Sequence, residues 1–283
     1  MSRGRSFWNV EALYLPKAGH SEEEYEDAFH TESFARRRPR LRAAVADGAT
    51  GSSYSREWAG MLTRAFVQGN LDDPDSATRT VETLAGEWQE GVGSRPLPWY
   101  AEVKASKGAF ASLLGLDLLT LPDHSSQRAW RPFATSWRSR RRTRQRREGR
   151  WRAVAVGDSC LFQLRRGQVV AQFPVTDSSD FGNHPTLISS RMDRNAEAWA
   201  EWAETKGRWT KGDVFLLATD AIAERLMREA EQNGADPHGF RLLADPQTRE
   251  SPDGAAWFAR WIEAERDARR LRNDDVTCVV IRL

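Results

Sequence analysis

No stretch of this 283-residue chain approaches the ~20 consecutive apolar residues of a membrane-spanning helix. The N-terminal MSRGRSFWNVEALYLPKAG also lacks the uninterrupted apolar run of a secretory signal. Cysteine is nearly absent. Its two occurrences, Cys160 and Cys278, lie in apolar strand-like runs, which argues against a disulfide framework and for reduced core thiols. The five histidines, His20, His30, His124, His184 and His238, fall into no His-x-x-His spacing, and there is no Cys-x-x-Cys pair, so a zinc site is not expected. Neither a phosphate-cradling Gly-x-x-x-x-Gly-Lys loop nor a Gly-x-Ser-x-Gly elbow occurs. These absences leave the expectation of a cytoplasmic protein that neither spans a membrane nor uses a nucleotide loop or an activated serine.

The 42 basic and 40 acidic residues nearly balance, with a strong basic excess in one place. Residues 138 to 152, RSRRRTRQRREGRWR, carry nine Arg and one Glu, +8 in all, so with a net charge of +2 the rest of the chain is 2 − 8 = −6. A nucleic-acid-binding surface needs basic charge spread over one face with aromatic side chains between, and only Trp137 and Trp151 flank this run. Its first reading is a solvated hairpin tip, because like charges repel. Docking of an acidic partner or phosphorylated substrate comes second, and nucleic acid last.

Hydrophobic residues make up 40% of the chain and twelve tryptophans supply large anchors for a core. Apolar runs predict strands at Ala12 to Leu15, Leu41 to Ala46, Phe110 to Leu119, Trp151 to Val156, Leu161 to Leu164, Val214 to Ala218 and Val276 to Leu283. Helical periodicity appears at Arg56 to Gly69, with Ser53 or Ser55 as N-cap, and at Ala77 to Gly91, Ile222 to Gln232 and Ala255 to Leu271. The Trp-rich AWAEWAETKGRW (198 to 209) reads as a helix face packed on a sheet, with a substrate flap as the alternative. FGNHP, around His184, reads as a loop before Leu187-Ile188 that faces the site or packs on the loop's own neighbours. Strands and helices do not alternate regularly, which points away from a doubly wound sheet and towards an α+β fold of antiparallel sheet with helices outside. No linker divides the chain, so one domain is expected over residues 1–283, with the Arg-rich stretch at about 120–150 as an elongated loop between two strands.

Acids recur at strand ends. AAVAD ends in Asp47, AVAVGD in Asp158 and VFLLATD in Asp220, while NDDVTCVVI opens with Asp274 and Asp275 and EEEYEDAFH places Glu26 and Asp27 beside Ala28-Phe29. In an antiparallel sheet the end of one strand and the start of its neighbour share an edge, so these acids can converge on one rim. Each alone can equally cap a turn or meet an arginine. Carboxylates brought together repel, and hard divalent cations with oxygen ligands relieve that repulsion.

YEDAF, VADGAT, AVGDSCLFQL, LLATDAIAE and NDDVTCVVI, in this order, resemble the motif series of the metal-dependent protein phosphatases of the 2C type. The resemblance runs from about residue 19 to the end. It implies two central antiparallel sheets flanked by helices, a four-layer α-β-β-α sandwich, and hydrolysis of phosphoserine or phosphothreonine on a protein substrate. It further implies two Mg²⁺ or Mn²⁺ ions, with Asp47 bridging them, the Gly48 carbonyl ligating one, and Asp220 and Asp274 completing the site. Glu26 and Asp27 would act through water, and a third ion would map to Asp158, Asp220 and Glu224. Two such cations lower the pKa of a shared water and orient a phosphoryl group for in-line attack. The family's phosphate-gripping arginine is replaced by Glu22, leaving Lys17, His20 or an arginine from elsewhere for that task. The catalytic histidine of some members is replaced by Ala49. Ala221 and Asp275 stand where the family has Gly and Asn, and the resemblance gives Asp275 as an added negative charge favouring cation binding. The acids favour an active enzyme; Glu22 and Ala221 favour the alternative, a catalytically silent member that binds a phosphoprotein or another partner.

Overall fold

The computed structural model describes residues 7–34, 39–49, 54–94, 107–121, 147–182, 185–234, 238–249 and 253–283. Two five-stranded antiparallel sheets form its centre. The first runs in the order β1 (Asn9–Leu15), β12 (Val276–Arg282), β11 (Val214–Ala218), β7 (Cys160–Arg165) and β8 (Gln168–Phe173). The second runs β10 (Ala203–Thr210), β6 (Glu148–Val156), β5 (Leu113–Thr120), β3 (Arg40–Ala46) and β2 (Ala28–Phe34). A two-residue ladder of β4 (Phe110–Ala111) with β9 (Ile188–Ser189) lies beside the second sheet.

The layers follow from alternation along each strand. Leu41, Ala43 and Val45 of β3 meet Leu114, Leu116 and Leu118 of β5 and, from the other sheet, Phe215, Leu217, Val279 and Ile281. The opposite faces are covered by helices. Ala44, Ala46, Val154 and Val156 pack under α1 (Ser55–Gln68) and α2 (Pro74–Gly93) through Trp58, Leu62, Phe66, Val81 and Trp88. Cys160, Phe162, Leu216, Cys278 and Val280 pack under α4 (Asp220–Asn233), α5 (His238–Ala244) and α6 (Gly254–Asp267), while the short α3 (Ala196–Ala200) precedes β10. The expected four layers are therefore present. Both cysteines are buried and free, and burial pushes the Cys278 thiol up to about 12.

Several sequence expectations need correction. The expected strand Phe110 to Leu119 is broken at Ser112, whose amide and hydroxyl both bond to the Asp47 backbone. Residues 198–209 are not one helix face: the helix stops at Ala200 and the chain enters β10, where Trp209 is buried in the sandwich and Gly207 accommodates the Trp151 ring. Neither expected serine is seen to cap α1. Tyr54 stands at its N-cap with φ 65°, Ser55 is the first helical residue with its hydroxyl on Ala49 O at 3.0 Å, and Ser53 lies outside the described residues. β5 and β6 pair as a hairpin, but residues 122–146 between them, and His184, lie outside the described residues. Among the described residues no helix is long and apolar enough to cross a membrane.

Candidate active site

Strand register brings the acids together. Ala28 of β2 lies opposite Ala46 of β3, so Asp27, just before one strand, neighbours Asp47, just after the other. In the other sheet, Ala218 of β11 lies opposite both Cys160 and Cys278. That register sets Asp158, Asp220 and Asp274 at one edge, each within a few residues of a paired strand end.

Asp27 joins the sheets. Its Oδ2 accepts from Thr219 Oγ1 at 3.0 Å and from Thr277 Oγ1 at 2.6 Å, two hydroxyls of the first sheet. Thr277 N in turn donates to Thr219 Oγ1 at 2.9 Å, and the Tyr25 hydroxyl bonds to Thr277 Oγ1. Ser112 makes a second link: its Oγ receives the Asp47 amide at 3.0 Å and meets Ser159 Oγ at 2.8 Å, beside Asp158. Sequence reasoning missed Ser112, Thr219 and Thr277 as site residues. The one available signal was a polar residue interrupting or ending an otherwise apolar strand.

The carboxylates are buried beyond what their donors satisfy. Asp27 is 1% exposed and Asp158 6% exposed. The Asp27 Oδ1 and both carboxylate oxygens of Asp158 have no hydrogen-bond partner among the described residues. Burial and the neighbouring Asp47 charge hold the Asp27 carboxyl well above the ordinary range. Burial, with Asp274 and Asp158 nearby, pushes Asp47 up to about 7, partly offset by the Arg272 charge. Asp158 is raised in the same way, by burial against its own backbone amide and Arg272. A cavity of about 380 Å³ opens beside Asp158, walled in part by Pro174, Asp180 and Glu201.

The remaining expected residues divide. Asp220 is the first residue of α4, and its Oδ1 receives the Ala221 amide at 2.5 Å; the helical backbone there tolerates the Ala221 Cβ. Glu224 pairs with Arg228 one turn on. Gly48 bridges to Ala111 of β4, and a Cβ there would stand 2.6 Å from Glu26 O, so chain crossing by itself requires the glycine. Asp275 adds negative charge beside Asp27 and also has a structural task. Its carboxylate accepts the Lys17 and Glu26 amides at 2.8 and 2.7 Å. Lys17 Nζ lies 3.4 Å from Glu26 Oε2, and half-exposed His20 Nδ1 lies 3.8 Å from Glu24 Oε1. Arg56 Nη1 donates to Glu22 O at 2.6 Å, so a guanidinium from α1 does stand at Glu22.

Oxygen-only donors, buried carboxylate oxygens without donors and carboxyls raised by mutual repulsion are the features a hard divalent cation relieves. On the Asp27–Asp47–Asp158 side the residues fit such an ion. Among the described residues no three His, Cys, Asp or Glu side chains already converge to hold one. On the other side Arg272 pairs with Asp220 and approaches Glu224 and Asp274.

A family model described as Protein phosphatase 2C matches residues 17–263. Among solved structures, the serine/threonine phosphatase Stp1 from Staphylococcus aureus superposes with a TM-score of 0.55 at 11% identity, covering 98% of this chain and 96% of that one. The catalytic domain of the serine/threonine phosphatase PstP, solved with two manganese ions, gives 0.51 at 18% identity, covering 97% of each chain. The photosystem II phosphatase PBCP gives 0.50 at 14% identity, covering 98% of each. At such identities these structures speak for the fold. Among curated protein sequences none matches the chain.

Proposed function

The chain belongs to the protein phosphatase 2C family, and on that premise we propose that it is a Mg²⁺- or Mn²⁺-dependent phosphatase acting on phosphoserine or phosphothreonine of a protein substrate. The observation that carries this reading is the buried rim of carboxylates with unpartnered oxygens at the meeting of two sheets. We read residues 1–283 as one phosphatase domain with the Arg-rich stretch inserted.

In this reading Asp47, the Gly48 carbonyl, Asp220 and Asp274 hold the two ions, with Glu26 and Asp27 acting through water and Asp158, Asp220 and Glu224 offering a weaker third position. The ions, when bound, supply charge that activates water and offsets negative charge on the transferred phosphoryl group. The protein's own share is preparation. Thr219 and Thr277 fix Asp27 so that its free Oδ1 stays at the rim. Ser112 fixes the backbone at Asp47, and Asp275 ties the segment carrying Glu26 to β12. Burial and mutual repulsion raise the Asp27 and Asp47 carboxyls, and cation binding would relieve that repulsion.

The test is hydrolysis of an aryl phosphate and a phosphothreonine peptide with Mn²⁺, with Mg²⁺ and with chelator, repeated on Asp47→Asn and Asp220→Asn. Metal-dependent turnover that falls by a factor on the order of 100 or more in both variants is the expected result. A folded protein inert with every metal would favour the second reading, a silent partner-binding member. That reading draws on Glu22 and on the guanidinium already paired with Asp220.

A further inference from the structure

Arg272 lies two residues before Asp274, in the turn between α6 and β12. Its guanidinium pairs with Asp220 through Nη2, stands 3.9 Å from Glu224 Oε2 through Nη1, and 3.7 Å from Asp274 Oδ2 through Nε. Those three carboxylates come from the first residue of α4, its second turn and the entry to β12. The buried Nε has no hydrogen-bond partner among the described residues, although the side chain as a whole keeps 33% exposure. The same charge lowers the carboxyls of Asp47 and Asp158 from the values that burial and their neighbours impose.

Two other arginines reach this edge, and neither touches Asp220. Arg228 pairs with Glu224 from the next turn of α4. Arg266 donates to the Pro16 and Asp274 carbonyls at 3.0 and 2.6 Å, holding the turn rather than the carboxylates.

We propose that Arg272 is a built-in counter-cation: in the ion-free protein it fills the ground between Asp220, Glu224 and Asp274, so that a divalent cation reaches those three carboxylates by displacing it. This rests on the reading of the rim as a divalent-cation site. A guanidinium cannot lose its proton in a protein, so the charge leaves the site only if the side chain swings out. Arg272 can do so, because it stands on a turn, has a long flexible stem and already reaches solvent. One delocalised charge against three carboxylates is also an incomplete neutralisation, which a divalent ion improves.

The two halves of the rim therefore differ. On the Asp27–Asp47–Asp158 side no described guanidinium pairs with a carboxylate, and an ion meets Arg272 only through its charge. On the Asp220–Glu224–Asp274 side every ion competes with Arg272. Cation binding is then unequal and stepwise, and the ion-free fold tolerates its acidic edge because it carries its own cation.

The test is calorimetric titration of Mn²⁺ into chelator-stripped wild type, Arg272→Ala and Arg272→Met, with thermal unfolding of each in chelator and in Mn²⁺. In both variants the weakest-binding ion should tighten by roughly tenfold, the equivalent of one partly buried ion pair. Both should melt lower than wild type in chelator and gain more from Mn²⁺. Equal stoichiometry and affinity in wild type and both variants would overturn the proposal and leave the phosphatase reading standing. Absence of Mn²⁺ binding in all three would overturn both. Should neither variant fold, the assigned Arg272 Nε–H resonance of the wild type decides: it should shift and exchange faster with water as Mg²⁺ saturates the last position, and an unchanged signal at saturation refutes displacement.

Discussion

A Cβ at position 48 would stand 2.6 Å from the Glu26 carbonyl oxygen and 2.8 Å from Ser55 Cβ. Neither neighbour can retreat cheaply. Glu26 is backbone whose amide is tied to Asp275 at 2.7 Å, and Ser55 opens α1. Gly48→Ala should therefore cost about 1–3 kcal/mol of stability, the usual scale for overpacking, read by urea unfolding. A cost below about 0.5 kcal/mol would show that the crossing is looser than these distances. The family resemblance attached Gly48 to an ion through its carbonyl; the structure adds a backbone carbonyl that the position closely approaches. Asp275 teaches the same lesson. The resemblance suggested added charge for a cation, and its carboxylate, whose charge does act on Asp27, also receives two backbone amides.

At the scale of elements, legibility follows depth. The interior strands β3, β5, β6, β7, β11 and β12 are buried on both faces and read as apolar runs. The edge strand β10 alternates with exposed polar residues, β2 exposes Thr31, Glu32 and Ser33 in a row, β8 exposes Gln168 and Val170, and all three passed as loop or helix. An interior exception is Arg42 of β3, 1% exposed under the helices. Its guanidinium pairs with Asp72 in the α1–α2 connection and lies 4.3 Å from the centre of the Phe66 ring. Removing Asp72 strands a buried charge, whereas replacing Arg42 by an apolar chain leaves Asp72 free to hydrate. Asp72→Ala should therefore destabilise by about 3 kcal/mol, and Arg42→Met by less than about 1 kcal/mol. Denaturant midpoints of the two variants check this; the reverse order would assign the stability of this layer to the ion pair itself.

Glu11 acts over the whole molecule. From β1 it accepts from Arg249, after α5, at 2.7 and 3.0 Å, and from Arg282 at the end of β12 at 2.8 Å. The same two arginines donate to the Leu242, Leu243 and Ala244 carbonyls at the end of α5. Burial pushes the Glu11 carboxyl up, but the hydrogen bonds and charges of Arg249 and Arg282 outweigh it and leave it below the ordinary value. A depressed carboxyl contributes stability above its unfolded pKa, near 4.3, and loses it as pH falls through the folded value. Wild type should therefore lose more melting temperature than Glu11→Gln between about pH 5 and pH 3. Parallel curves for the two proteins across that window would remove Glu11 from the acid response.

The order of motifs, the acids at strand ends, the interior strands and the four main helices were determined by the sequence, because burial and periodicity are written locally. The expected four-layer sandwich followed from those motifs, and the sheets confirm it. The tertiary structure alone decided which oxygens are left without donors, since that depends on partners far apart in sequence. Thr219 and Thr277 reach Asp27 across 192 and 250 residues of chain. It also decided that Arg272 lies on Asp220, although 52 residues separate them. A side chain's neighbours across a sheet edge are set by register and layer packing, and no local pattern records which charge will arrive there.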